Sequence, residues 1–282
     1  MKKLFVSLLA SVGFLLISFA CSSSSSGSDS PQVTEPEEEE IVETIKVMAY
    51  NIHHANPPST PDEININAIV NVIKQEAPDL VALQEVDVNT GRSGPGNQAE
   101  IIAERLGMNY FFGKAIDYDG GEYGVAVLSK FPLTEGKINR LPTQAGTNGE
   151  PRILVTAKIT TPEGNTIRFG STHLDAQRED TNRLLQIQEV VKIGENEQLP
   201  FIIAGDFNAV PDSEVIRVLD SHFKRTCRLC GFTSSAQNPV RTIDYIAYKH
   251  PENKFEVKNH EVIKETFASD HFPIVSEINI LK

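Results

Sequence analysis

Short apolar runs, each closed by an acid, an amide or a histidine, recur along this 282-residue chain and restrict what it can fold into. Residues 47–50 are followed by Asn51, residues 80–83 by Gln84-Glu85, and residues 169–172 by His173. Residues 201–204 run into Gly205-Asp206-Phe207-Asn208, Asp244 stands between Ile243 and Tyr245-Ile246, and Asp270-His271 precede the last apolar run. Runs this short and this rich in branched residues read as buried strands. Further strands are expected at 45–50, 123–129, 153–160, 166–171, 242–248, 255–263 and 274–280. Helical spacing of apolar residues marks 65–75, 97–106 and 182–193, the first stopping before Pro78 and the second at Gly107. Strands and helices alternate early, and strand pairs dominate the middle. Mixed sheets packed face to face, with helices outside, satisfy that order in one domain.

Taken singly, each polar residue has an ordinary explanation. An Asp or Asn after a strand is commonly a turn residue, and a Glu after an apolar run is commonly solvated. Asp244 differs, because a carboxylate flanked by apolar residues must be paired or its burial costs several kcal/mol. As a set, strand-end carboxylates, amides and imidazoles would gather at one rim of a sandwich and make a hydrolytic site. The oxygen-rich group Glu85, Asp270 and Asn51 suits a hard cation such as Mg²⁺ or Mn²⁺ better than zinc.

The order of these pieces resembles the endonuclease/exonuclease/phosphatase superfamily. The matching segments are Tyr50-Asn51-Ile52-His53, Leu83-Gln84-Glu85-Val86, Ser171-Thr172-His173-Leu174, Gly205-Asp206-Phe207-Asn208, Ile243-Asp244-Tyr245-Ile246 and Ser269-Asp270-His271-Phe272-Pro273. The resemblance implies an α/β (α+β) fold of the DNase I-like type, a four-layer sandwich of two packed mixed β-sheets flanked by helices. It implies hydrolysis of phosphate esters with Mg²⁺ or Mn²⁺ as cofactor. By position, Glu85 would be the principal metal ligand, with Asn51 and Asp270 completing or supporting the sphere. Asp206 would position or deprotonate water, Asn208 would hold a phosphate oxygen, and His173 would bind phosphate. His271, oriented by Asp244, would act as general base or stabiliser.

The chain departs from the family pattern at Val125, where many relatives carry Asn. Tyr123 is a candidate to supply a hydroxyl instead, or is a packed strand residue. Arg152, in Glu150-Pro151-Arg152, is a candidate phosphate ligand or a surface ion-pair partner. His54, with His53, is a candidate for the mouth of the site, and Asp175 is a weaker candidate for substrate contact. Cys227-x-x-Cys230 lacks a matching second pair for zinc and reads as a local disulfide or free thiols.

Residues 1–20 have the charged start and apolar run of a signal peptide. The segment Ile17-Ser18-Phe19-Ala20-Cys21 resembles a bacterial lipobox, with Cys21 as the lipidated residue. Residues 21–43, Ser-rich and then Glu-rich, read as a flexible tether, and residues 44–282 as the catalytic domain. The formal net charge of −12 does not favour stable binding of long nucleic acid, although nucleic acid stays open as a substrate. The expectation is therefore an exported monomer, held to a bacterial membrane by lipid on Cys21 and facing periplasm or cell surface, that hydrolyses a phosphodiester or phosphomonoester. Nuclease, sphingomyelinase- or phospholipase-like, and inositol-phosphate phosphatase readings stay open. The alternative is a non-catalytic ligand-binding lipoprotein of the same fold, against which the complete ligand and base set argues.

Overall fold

A computed structural model describes residues 40–249 and 254–282. The expected signal peptide, Cys21 and nearly all of the tether lie outside them. Among the described residues, twelve strands and four α-helices form two six-stranded mixed sheets with helices on the outer faces, the expected four-layer sandwich. The first sheet contains β1 (Ile41–Asn51), β2 (Leu80–Val88), β3 (Asn109–Tyr118), β4 (Gly121–Ser129), β11 (Phe255–Val262) and β12 (Ile274–Leu281), in the order β11-β12-β1-β2-β4-β3. The second contains β5 (Leu133–Arg140), β6 (Ile153–Thr160), β7 (Thr166–His173), β8 (Phe201–Asp206), β9 (Lys224–Arg225) and β10 (Asp244–Lys249), in the order β5-β6-β7-β8-β10-β9.

Two parallel pairs sit at the heart of these sheets, β1 with β2 and β7 with β8. Parallel neighbours need a crossover, and the chain supplies a helix each time: α1 (Ile66–Glu76) between β1 and β2, and α3 (Thr181–Asn196) between β7 and β8. Asn65 caps α1 by accepting from the Ala68 amide, and Ala77 in a left-handed conformation ends it just before Pro78. Asn97 caps α2 (Gln98–Leu106) in the same way, and Gly107 closes it. The inter-sheet core interleaves Ile45, Val47, Leu80 and Ala82 from the first sheet with Val155, Phe169, Ile202 and Ile246 from the second. Ile69, Ile73 and Ile102 of α1 and α2 cover the outer face of the first sheet. Ile187 and Val190 of α3, with Val215 and Leu219 of α4 (Glu214–Asp220), cover the second.

Several boundaries differ from the sequence expectation. β1 begins at Ile41, not at residue 44, and its first residue pairs with Leu281; the end of the expected tether is part of the sheet. β3, β5 and α4 were not anticipated. β5 is a mostly exposed edge strand without the apolar run that betrays an interior strand, and the Tyr110-Phe111-Phe112 run of β3, also at an edge, is cut short by Gly113-Lys114. β10 begins at Asp244 rather than 242, because Thr242 Oγ1 donates to the Gly231 carbonyl and the Ile243 amide donates to Thr233 Oγ1. Asp244 is therefore the first residue of β10, at the sheet's rim, not in the interior of a strand. Cys227 and Cys230 are joined in a disulfide.

The inter-sheet layer sets the distance across which the site is assembled. Phe169→Ala, at a fully buried position, is expected to cost about 3–5 kcal/mol. Urea unfolding should show a lower midpoint with an unchanged slope.

Candidate active site

The carboxyl ends of two parallel pairs in facing sheets reach the same rim. In register, Asn51 lies beside Gln84, and His173 beside Asp206. Antiparallel β10 places Asp244 directly opposite Asp206. Glu85 does not end its strand, as the run 80–83 suggested. β2 continues to Val88, and its register with β4 slips between Leu83 and Val86. Glu85 occupies that bulge with a φ of +57°, a device that re-aims a side chain within a sheet. Gly205 is equally specific: its φ is +152°, and a Cβ there would lie 2.0 Å from the Thr172 carbonyl oxygen. Only glycine lets β8 approach β7 so closely just before Asp206.

Asp206 is the focus. Its Oδ2 accepts from Asn51 Nδ2 at 3.2 Å and lies 3.5 Å from His173 Nε2 and 3.8 Å from His271 Nε2. Its Oδ1 accepts from the Asn208 amide at 2.8 Å. Burial, reinforced by the charge of Asp244, raises Asp206 well above the usual carboxylate range. His271 Nδ1 meets both Asp244 oxygens, at 3.0 and 3.2 Å. Burial alone would lower this imidazole, but the charge and hydrogen bond of Asp244 prevail and push it up to about 10. Thr233 fixes Asp244 in turn, its hydroxyl accepting from the Ile243 and Asp244 amides. Ser269 Oγ donates to the Asn51 carbonyl and accepts from the His271 amide, tying the first sheet to the loop before β12.

Glu85 faces the other side of Asn51, whose Nδ2 donates to Glu85 Oε1 at 3.0 Å. His54 Nδ1 stands 3.9 Å from Glu85 Oε2. Burial would raise Glu85, but contacts with His54 and Asn51 and the neighbouring His173 hold it far below the carboxylate range. It is an anion. Asp270 Oδ1 is buried and, among the described residues, has no hydrogen-bond partner. An ionised glutamate, an amide and an unpartnered carboxylate oxygen form a donor set that fits a hard divalent cation. Two triplets also have ligand atoms within 4.8 Å of one another, His53-His54-Glu85 and Asp206-Asp244-His271. The second already has its carboxylate–imidazole contact satisfied internally.

The candidate substrate contacts divide. Arg152 is buried, 6% exposed, so it is not a surface ion pair. It holds Glu150 at 3.2 Å, and its Nε has no partner among the described residues. Burial, then the Arg152 charge, keep His173 well below 6.5 and therefore neutral. Tyr123 is raised by burial and by the Glu85 charge, with Arg152 opposing, which places it at the rim. Val125 is buried in the inter-sheet core. Asn208 Nδ2 donates to the Leu174 carbonyl, which leaves one of its two N–H groups free. Asp175 is committed elsewhere: its carboxylate accepts from Asn182 and its backbone carbonyl from Arg183, both on α3. Thr233, Ser269 and the buried Gln84–Ser171 pair were missed in the sequence. Thr233 lies in an irregular stretch with no periodic signal, whereas Ser269 stands inside a quoted motif.

The model of the Endonuclease/Exonuclease/phosphatase family matches residues 48–271. No curated protein matches the chain in sequence. Among solved structures, an endonuclease/exonuclease/phosphatase from Beutenbergia cavernae is similar with a TM-score of 0.70 and 24% identity, over 84% of this chain and 72% of that one. A mannosyl-6-phosphatase from Bacteroides thetaiotaomicron is similar with a TM-score of 0.67 and 20% identity, over 83% and 99%. The human Nocturnin catalytic domain, with bound sulfate, is similar with a TM-score of 0.66 and 22% identity, over 86% and 96%. At these identities the likeness is one of fold.

The Asp244–His271 pair yields a test by pH. His271 is raised in the folded chain from 6.5 to about 10. Its contribution to stability is full below pH 6.5 and disappears as pH rises through 10. In metal-free Asp244→Asn protein the largest raising influence is lost, and the His271 ring should titrate well below 10 by NMR. The fall in wild-type unfolding free energy between pH 6.5 and 10 should flatten in the same variant.

Proposed function

The chain belongs to the endonuclease/exonuclease/phosphatase family, and on that premise we propose that it is a divalent-metal-dependent hydrolase of phosphate esters. The observation that carries this reading is the convergence on Asp206 of Asn51, His173 and His271, with ionised Glu85 on the far side of the same Asn51 amide. Bound by Glu85, Asn51 and Asp270, Mg²⁺ or Mn²⁺ would supply a fixed positive charge toward the phosphate oxygens.

The remaining groups have complementary tasks. Asp206, raised by burial and by Asp244, is a carboxylate poised to take a proton from an attacking water near neutral pH. His271, at about 10, is an imidazolium at that pH. Of the two roles open to it, stabiliser of developing charge fits this state better than general base. Neutral His173 turns Nε2 toward the same rim, 3.5 Å from Asp206 Oδ2, where its N–H can meet a phosphate oxygen. Arg152, buried and close enough to act on the His173 imidazole, adds a second fixed cation.

The net charge of −12 supports a small or surface-presented ester over a long polyanion. The mannosyl-6-phosphatase among the structural neighbours makes sugar phosphomonoesters a class to assay early. Export and lipid attachment at Cys21 remain part of the proposal and rest on residues 1–21 of the sequence.

The test is release of p-nitrophenol from bis-p-nitrophenyl phosphate and p-nitrophenyl phosphate, with Mg²⁺, Mn²⁺ or EDTA. Turnover should require the metal. Glu85→Ala and His271→Ala should each lower kcat by about 10²–10⁴-fold. Turnover that survives both EDTA and these substitutions would refute the proposal.

A further inference from the structure

Away from the rim, the disulfide has an unexpected neighbour. Ligand atoms of Cys227, Cys230 and His260 all lie within 4.8 Å of one another. The cysteines follow β9, at the edge of the second sheet, and His260 belongs to β11, at the edge of the first. Sequence spacing argued against zinc for want of a second ligand pair, and the fold brings in a third ligand from 30 residues downstream of Cys230.

His260 has a hydrogen-bond partner on one ring nitrogen and, among the described residues, none on the other. Thr226 Oγ1 donates its single proton to the Ile246 carbonyl and lies 2.9 Å from His260 Nδ1. A metal at Nε2 needs the imidazole hydrogen on Nδ1, and this hydroxyl can accept it while giving its own proton to the carbonyl. That second nitrogen, Nε2, is buried. A histidine with one nitrogen hydrogen-bonded, the other unpartnered, and a ring nitrogen within 4.8 Å of two sulfurs has the arrangement of a metal-ligating histidine.

We propose that Cys227, Cys230 and His260 form a site for a thiophilic divalent cation of the Zn²⁺ class, available only when the disulfide is reduced. Two equivalents of an external thiol break the S–S bond, leave as their own disulfide, and give two protein thiols. Binding of Zn²⁺ then releases both thiol protons. A tetrahedral ion with sulfur at about 2.3 Å holds its ligands about 3.8 Å apart, and the histidine nitrogen is within 4.8 Å of both sulfurs. No fourth His, Cys, Asp or Glu joins the cluster among the described residues, so the last position falls to solvent. The ion would join the edge strands of the two sheets. The segment following the cysteines carries Thr233, whose hydroxyl accepts from the Asp244 amide.

The test loads the full chain with Co²⁺ in a large excess of Mg²⁺, which occupies the oxygen-rich rim. After phosphine reduction and removal of the phosphine, one equivalent of Co²⁺ should give the near-ultraviolet thiolate-to-cobalt band, and Zn²⁺ should bleach it. The disulfide form should give no band. Cys230→Ser should lose the two-thiolate spectrum, and Thr226→Val should bind Co²⁺ about 10–100-fold more weakly. A reduced wild-type chain with no thiolate band overturns the proposal, and this comparison needs no variant to fold. Equal Co²⁺ affinity in His260→Ala and wild type also overturns it, since the histidine would then not be a ligand.

Discussion

A single buried carboxylate, Asp206, connects the two halves of this molecule at its working end. It belongs to the second sheet, accepts from Asn51 of the first, and faces imidazoles from β7 and from the loop before β12. A carboxylate 1% exposed needs such partners, because an unpaired buried charge would cost far more than any one contact returns. The requirement runs outward. Asn51 is held through its carbonyl by Ser269, and His271 through its ring by Asp244. Asp244 is held through its amide by Thr233. The sandwich supplies two rigid platforms, and Asp206 fixes how their ends meet.

The same network separates two kinds of electrostatics within a few ångströms. Around Glu85, hydrogen bonds and neighbouring imidazoles outweigh burial and keep the carboxylate ionised. Around Asp206, burial and a second carboxylate prevail, and the proton is held more tightly. The Asn51 amide donates to both. Two carboxylates on one amide thus acquire different tasks from their surroundings, one suited to a permanent cation and one to proton transfer. His173 and His271 divide likewise, the first kept neutral by burial and Arg152, the second kept charged by Asp244.

Much of this was legible in the chain because the interior strands are short and apolar. A polar residue that closes such a run is conspicuous, and Asn51, His173 and Asp206 stand where their runs ended. The bulge at Glu85 was not legible, since a one-residue slip leaves no composition signal, although the residue itself was. β5 was invisible because it is a mostly exposed edge strand without an apolar stretch, and β3 because its Tyr110-Phe111-Phe112 run is cut short by Gly113-Lys114. Thr233 lies in an irregular stretch between a disulfide and a strand, where period-based reading has nothing to use. His260 escaped notice as a neighbour of the cysteines because only the packing of two sheet edges brings them together.

The central claim is that the cation belongs to Glu85 while the Asp206–His271–Asp244 group handles protons and charge. Binding of Mn²⁺, followed by the loss of its free-ion electron paramagnetic resonance signal, tests that division directly. The account predicts a site in the wild-type chain that Glu85→Gln abolishes and His271→Ala leaves intact. Binding that survives Glu85→Gln but disappears in His271→Ala would move the ion to Asp206, Asp244 and His271, and would contradict it.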